Sequence, residues 1–371
     1  MNLMEKIPTR KQIESLNVYV PGKPIEEVKR EFGLEKIIKL ASNENPFGFS
    51  ALAKETMLRE MLQTNSYPEG TAPLLTEKLA HYLHVPQDSL IVGNGSDELI
   101  RLLTRRYIRP GDEVIMADVT FPRYKTNVQI EGGKSVHIPL IDGVHDLTGM
   151  LAAITEQTRM IFVCNPNNPT GTIVGKKALA AFIEKVPSHI LLIVDEAYYE
   201  YVTDEDYLET LPLLLSHPNL IVLRTFSKIY GLAALRIGYG VMHPSIVKEL
   251  MKVKEPFNTN RLAQSAAIAS LDDSQFVEDC KQKNAEGRRY LEEEVAKLGF
   301  SIYPSQGNFV MILLDRPGDE VFASLLKQGI IVRSGGLLGY PQTIRVSIGT
   351  PEENQAFIEA FKEALVSEDE G

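Results

Sequence analysis

Cysteine is nearly absent from this sequence: Cys164 and Cys280 are the whole supply in 371 residues. No disulfide framework can be built from them, and such sparing use suits a reducing compartment. Basic runs are missing as well. The 39 Lys and Arg are outnumbered by 49 Asp and Glu, giving a net charge of −10, and no Lys/Arg cluster offers a footprint for nucleic-acid phosphates. No apolar stretch reaches the roughly 18 residues that a membrane-spanning helix needs. The opening MNLMEKIPTRKQIESLNVYV mixes acid and base without an apolar core, so no signal peptide is expected and a cytoplasmic location is. What remains is an ordinary globular composition, 44% hydrophobic and 24% charged. The overall acidity still permits an anionic ligand, because local arginines can oppose the global sign.

The length exceeds one small core and predicts a large domain with a smaller one. From about residue 87 to 242, short apolar runs (SLIVGNG, DEVIMAD, KSVHIPL, TRMIFVCN, ILLIVDEA, NLIVLRT, IGYGVM) alternate with helical patterns such as SDELIRLLTRRYI and GKKALAAFIEKV. Several runs are apolar on both alternations, as strands covered on both faces are. This alternation predicts an α/β fold, a mostly parallel sheet with helices on both faces. After residue 270 a long polar-faced helix precedes short strands and a closing helix, predicting a smaller α+β domain. The expected division is 1–38 as an N-terminal arm joining the small domain, 39–269 as the large domain and 270–371 as the small one.

In open parallel sheets, ligands bind beyond the carboxyl ends of the strands. Four strand ends carry polar residues there. In VGNGSDELI, Gly95 ends a turn and Ser96 is the expected helix N-cap, whose freed N–H groups suit a phosphate. A dinucleotide fingerprint fails there, since Glu98 stands where its third glycine belongs. CNPNNPTG, residues 164–171, sets Asn167 and Asn168 side by side in a rigid turn, where an asparagine can donate to a bound oxygen. IVDEAYYEY ends a strand on Asp195, with Tyr198 three residues on. An aspartate there is often a plain helix cap, but a buried one needs a cationic partner. RTFSKIYGLAALRIGYG carries Thr225, Ser227 and Lys228, with Arg236 eight residues further on. A lone lysine is more often at the surface. One held among cations and apolar walls has a lowered amine pKa, which Schiff-base chemistry requires.

Blander readings apply elsewhere. His81 and His84, spaced three apart on one expected helix face, have no third ligand nearby, so no metal site is expected. Cys164 reads as a small core residue rather than a nucleophile. A cofactor-binding regulator would need a nucleic-acid module for which neither end has room or basic charge.

Together these segments resemble the fold type I pyridoxal-phosphate aminotransferases, and within them the histidinol-phosphate aminotransferase family. The likeness rests on LASNENPFG, YPEGTAPLLTEKLA, VGNGSDE, DVTFPRYK, CNPNNPTG, VDEAYYEY, RTFSKIYGLAALRIGYG, PFNTNRLAQ, PSQGNFV, IVRSG and RVSIGT, from about residue 19 to 350. The resemblance implies that Lys228 forms the Schiff base with pyridoxal 5'-phosphate and later shuttles a proton. It implies that Asp195 pairs with the pyridinium nitrogen, and that Asn168 and Tyr198 bind the phenolic oxygen. Gly95, Ser96, Thr225, Ser227 and Arg236 would take the cofactor phosphate. Phe121 would stack on the ring, with Tyr124 the lesser choice. Tyr67 would reach a second subunit's cofactor phosphate, implying a homodimer with shared sites.

For substrate, the resemblance implies that Arg345, with Arg333 and Tyr19, meets the phosphate of histidinol phosphate and the carboxylates of glutamate or 2-oxoglutarate, groups that a guanidinium fork matches equally. An aromatic amino-acid aminotransferase acting on phenylalanine or tyrosine is the alternative, and a phosphate-recognising decarboxylase of the same fold would keep the same cofactor residues.

Overall fold

The computed structural model describes residues 7–16, 18 and 23–366. Its centre is a seven-stranded sheet built from β1 (Leu90–Gly93), β2 (Glu113–Ala117), β3 (Lys134–Ile138), β4 (Thr158–Cys164), β5 (Leu191–Asp195), β6 (Leu220–Thr225) and β7 (Gly238–Met242). The spatial order is β1-β7-β6-β5-β4-β2-β3. Strands β3, β2, β4, β5 and β6 run parallel, whereas β7 is antiparallel to both β6 and β1. The reason for the reversal is local. Residues 226–237 hold only a 3-10 turn, Ala233–Leu235, with no crossover helix to carry the chain back for parallel pairing.

Burial explains the sequence patterns. Every residue of β6 is buried, as are Leu192–Asp195 of β5, because helices cover both faces. One face packs with Leu99, Leu103, Tyr124 and Phe162; the other packs with Leu179, Phe182, Ile183 and Leu208. Edge strand β3 is the exception, with Lys134 and His137 exposed, so its run reads less cleanly.

Helix Ser274–Lys297 leads to a four-stranded antiparallel sheet of β8 (Ser301–Ile302), β9 (Phe309–Leu313), β10 (Arg333–Ser334) and β11 (Thr343–Ser347), ordered β10-β11-β9-β8. Helices Gly318–Lys327 and Pro351–Val366 pack on it through Val321, Leu325, Phe357 and Phe361. Ile38–Lys39 pairs in parallel with Ile330–Ile331, and Leu40 joins the same apolar cluster. The chain segment just after the N-terminal arm is thereby tied to the C-terminal sheet and runs from there straight into the site. Among the described residues no helix is long and apolar enough to cross a membrane, and no cluster of three His, Cys, Asp or Glu is placed to hold a metal ion.

Candidate active site

A cavity of about 1180 Å³ lies beyond the carboxyl ends of β4, β5 and β6, with β10 and β11 contributing its far wall. Lys228 follows the end of β6 by three residues and is turned into this space rather than out to solvent. Its Nζ lies 3.2 Å from the Asn43 carbonyl oxygen and 3.4 Å from that of Ser42, both acceptors. The Tyr198 ring centroid is 5.5 Å away. Burial, then the positive charges of Arg345 and Arg236, bring the amine down to about 8, against the pull of Asp97 and Glu44.

Asp195 closes β5 and is buried. Its Oδ1 accepts from the Ala197 N–H at 3.2 Å, and its Oδ2 accepts from the Tyr124 hydroxyl at 2.6 Å. Burial pushes its carboxyl up to about 6, while those two hydrogen bonds oppose the rise. The neighbouring Glu196 turns the other way, into a buried ion pair with Arg224 at 2.8 Å. Alternation along the strand ends thus sends Asp195 and Thr225 to the cavity, and Glu196 and Arg224 away from it.

On the β1 and β6 side, a set of donors converges. Gly95, at φ +75, caps helix Ser96–Tyr107; Ser96 is its first helical residue and not the N-cap expected from sequence. The correction has a steric cause. Gly95 stands at φ +75 and ψ 167, a conformation essentially confined to glycine, and a Cβ there would also crowd the Arg236 guanidinium. Arg236 donates to Ser227 Oγ at 3.3 Å and lies 3.6 Å from Asp97 Oδ2. Arg236 itself adopts φ +57, which brings its guanidinium back toward Ser227. Helix N–H groups, two hydroxyls and a guanidinium then face one corner, an anion cradle.

On the opposite wall, Asn168 Nδ2 donates to Tyr198 Oη at 3.3 Å, and Asn168 Oδ1 accepts from Arg345 at 2.6 Å. Arg345 and Arg333 are direct cross-strand partners on β11 and β10, and both line the cavity. Phe121 lines it from the loop after β2. Asn167, by contrast, faces inward to hold the turn: it accepts from Thr120 Oγ1 at 2.8 Å and donates to Thr170 Oγ1 and the Val119 carbonyl. The adjacent asparagines therefore divide the work.

Tyr67 does not line this cavity. Its side chain is 79% exposed and stacks on Phe257 at 4.7 Å. Tyr19 lies outside the described residues. The expected shared helix face of His81 and His84 does not exist, because the helix Pro73–Leu83 ends before His84, which sits in the left-handed region at φ +54. Cys164 is buried at the end of β4 and its thiol is pushed up to about 12 by burial, so it stays neutral beside the cavity.

Two residues at the site have roles that the sequence does not indicate. Asn43 donates from Nδ2 to Tyr198 Oη at 3.0 Å, accepts from Ser347 Oγ at 3.1 Å, and offers its carbonyl to Lys228 and Asn308. Its one signal was its place in LASNENPFG. Tyr124, weighed only as a ring-stacking alternative to Phe121, lies beneath the cavity against Asp195.

Comparison with known proteins agrees with this architecture. The family described as aminotransferase class I and II matches residues 35–361. A histidinol-phosphate aminotransferase of Geobacillus sp. (strain WCH70) is 50% identical over 95% of this chain and 97% of its own. That of Bacillus subtilis (strain 168) is 49% identical over 96% and 99%. The crystal structure of histidinol-phosphate aminotransferase from Sinorhizobium meliloti, in complex with pyridoxal-5'-phosphate, superimposes with a TM-score of 0.90 at 28% identity, covering 97% of this chain and 98% of that one. The chain belongs to the class I and II aminotransferases, with the fold type I architecture, and within them to the histidinol-phosphate aminotransferase family.

Proposed function

We infer that this protein is a pyridoxal-phosphate-dependent aminotransferase that moves an amino group between histidinol phosphate and 2-oxoglutarate or glutamate, a step of histidine biosynthesis. The observation that carries the reading is identity of about half with histidinol-phosphate aminotransferases over nearly the full length of both chains. The residues present fit the cofactor. An anion cradle stands at one corner for a phosphate, a buried carboxylate at another for a cationic nitrogen, and an amine of lowered pKa between them. When bound, pyridoxal phosphate supplies the electron sink for the substrate carbanion and the carbon that carries the amino group.

In this reading Lys228 Nζ would hold the cofactor, and as a free amine it would carry the proton to and from the substrate Cα. Asp195 holds the ring nitrogen protonated. Asn168 and Tyr198 orient the phenolic oxygen, and Phe121 covers one ring face. Gly95, Ser96, Thr225, Ser227 and Arg236 bind the cofactor phosphate. Arg333 and Arg345 take the substrate phosphate, and the carboxylates of glutamate in the other half-reaction; their cross-strand pairing supports this. We assign residues 39–269 to the cofactor domain and 270–371 to the small domain, which residues 25–38 join through Val28 and Ile38, whereas Arg10, Gln12 and Ser15 hydrogen-bond to Gln129 and Ile130 of the large domain. A cytoplasmic location accords with two free cysteines. Steady-state turnover tests the substrate assignment: kcat/KM for histidinol phosphate should exceed that for phenylalanine, and equal values would favour the aromatic alternative.

A homodimer is part of the same proposal. Leu62, Tyr67 and Leu74 are 86%, 79% and 69% exposed, with Leu58, Met61 and Phe257 also exposed nearby in sequence or by stacking. Such a grouping favours burial by a second copy. Tyr67 would then serve the other chain's cofactor phosphate. Tyr67→Phe should release cofactor more readily, and heterodimers formed with inactive Lys228→Ala chains should recover activity through their one intact site. Absence of recovery in exchanged heterodimers would refute sharing.

A further inference from the structure

We propose that Tyr124 is a positioning residue for Asp195: its buried hydroxyl fixes one carboxylate oxygen so that the acid meets the cofactor ring as an oriented, acceptor-only anion. The inference rests on the assignment of Asp195 to the ring nitrogen. Tyr124 lies in helix Arg123–Ile130, directly after β2, and is fully buried. Its ring stacks on Phe162 of β4 at 4.3 Å with planes 9° apart. Phe121 meets its edge at 5.6 Å. Held by these two rings, the hydroxyl is delivered to Asp195 Oδ2 at 2.6 Å, the short distance of a charge-assisted hydrogen bond.

The polarity of that bond is fixed by its surroundings. Burial, the adjacent Asp195 carboxylate and the nearby Cys164 drive the phenol far above its ordinary range, so the proton stays on the Tyr124 oxygen and is donated to Asp195. Asp195 must then accept. Burial alone would drive Asp195 toward its neutral form, and a protonated acid would donate to a pyridine nitrogen and fail to hold it cationic. Tyr124 opposes that drift more than any other neighbour. The other groups near Asp195 offer no substitute. The Cys164 thiol is neutral, Glu196 is engaged by Arg224, and Asp97 is paired with Arg236. Each Asp195 oxygen thus receives one donor from the protein, and the capacity left over faces the cavity.

Tyr124 also touches Phe121, the proposed ring-stacking aromatic. One side chain therefore connects the residue over the ring face with the residue at the ring nitrogen. The hexagon of a phenylalanine would keep both packing contacts and lose only the hydroxyl, which makes the role separable from packing.

The test uses holoenzyme carrying 15N-labelled pyridoxal phosphate. Tyr124→Phe should move the ring-nitrogen resonance toward that of a neutral pyridine and lower kcat about 10- to 100-fold, the scale of a hydrogen bond to a charged group. KM for histidinol phosphate should change less than twofold. In an Asp195→Asn background the same substitution should change kcat less than twofold, because the carboxylate it serves is gone. An unmoved nitrogen resonance, or equal losses in both backgrounds, overturns the proposal. A slow Asp195→Asn enzyme with unaffected Tyr124→Phe overturns Tyr124 alone. A near-normal Asp195→Asn enzyme instead overturns the Asp195 assignment beneath it. If Tyr124→Phe does not fold, 3-fluorotyrosine at position 124 keeps the ring and makes the phenol a stronger donor; it too must shift the nitrogen resonance, and an unshifted one overturns the proposal.

Discussion

Lys228→Ala protein mixed with pyridoxal phosphate should show no Schiff-base absorption band and should lose activity by at least about 10⁴-fold. The size follows from two losses at once. General acid–base transfer by a positioned side chain is worth roughly 10²–10⁴-fold, and the covalent link that presents the cofactor disappears with it. The lowered pKa adds a pH dependence to the wild-type protein. Only the unprotonated amine attacks an aldehyde, so the rate of cofactor uptake by the cofactor-free protein should rise with pH and level off above about 8. An ordinary lysine at 10.5 would hold roughly 300-fold less free amine at pH 7. A band persisting in Lys228→Ala, or uptake still climbing at pH 10, would remove Lys228 from its role.

Asp195→Asn should retain bound cofactor yet turn over about 10²–10³-fold more slowly, the usual cost of removing one preorganised electrostatic partner of a developing charge. The substitution is nearly isosteric, and its one oxygen can still accept from either Tyr124 or the Ala197 N–H, though not from both. What goes is the negative charge. A neutral amide cannot hold the ring nitrogen cationic, so the electron sink weakens while binding through the phosphate cradle survives. Near-normal turnover would show that Asp195 is only the strand-end cap that such residues often are.

Much of this is legible in sequence because buried strands and their carboxyl ends follow simple rules. Runs apolar on both faces, separated by amphipathic stretches, indicate the parallel sheet, and the strand-end rule points to Asn168, Asp195 and Lys228. The antiparallel β7 was not legible from its run, IGYGVM, since direction is set by the short connection before it and not by strand composition. The Gly95 cap was misread as Ser96 because its backbone conformation shows only in the fold, where it meets Arg236, 141 positions away in sequence. Asn43 was missed for the same reason: its partners Tyr198, Asn308 and Ser347 come from three distant segments. Tyr124 was underrated because its hydroxyl and Asp195 converge only when β2 and β5 are placed on either side of β4.

The measurement that tests the central claim most directly is a half-reaction titration of purified holoenzyme with histidinol phosphate and, separately, with phenylalanine. No second substrate is present, so the absorption change from the pyridoxal to the pyridoxamine form reports amino transfer itself. Fast, complete conversion by histidinol phosphate, with phenylalanine much slower, is the predicted result. A holoenzyme that binds its cofactor but is converted by neither amine would contradict the account and leave the decarboxylase chemistry of the same fold in its place.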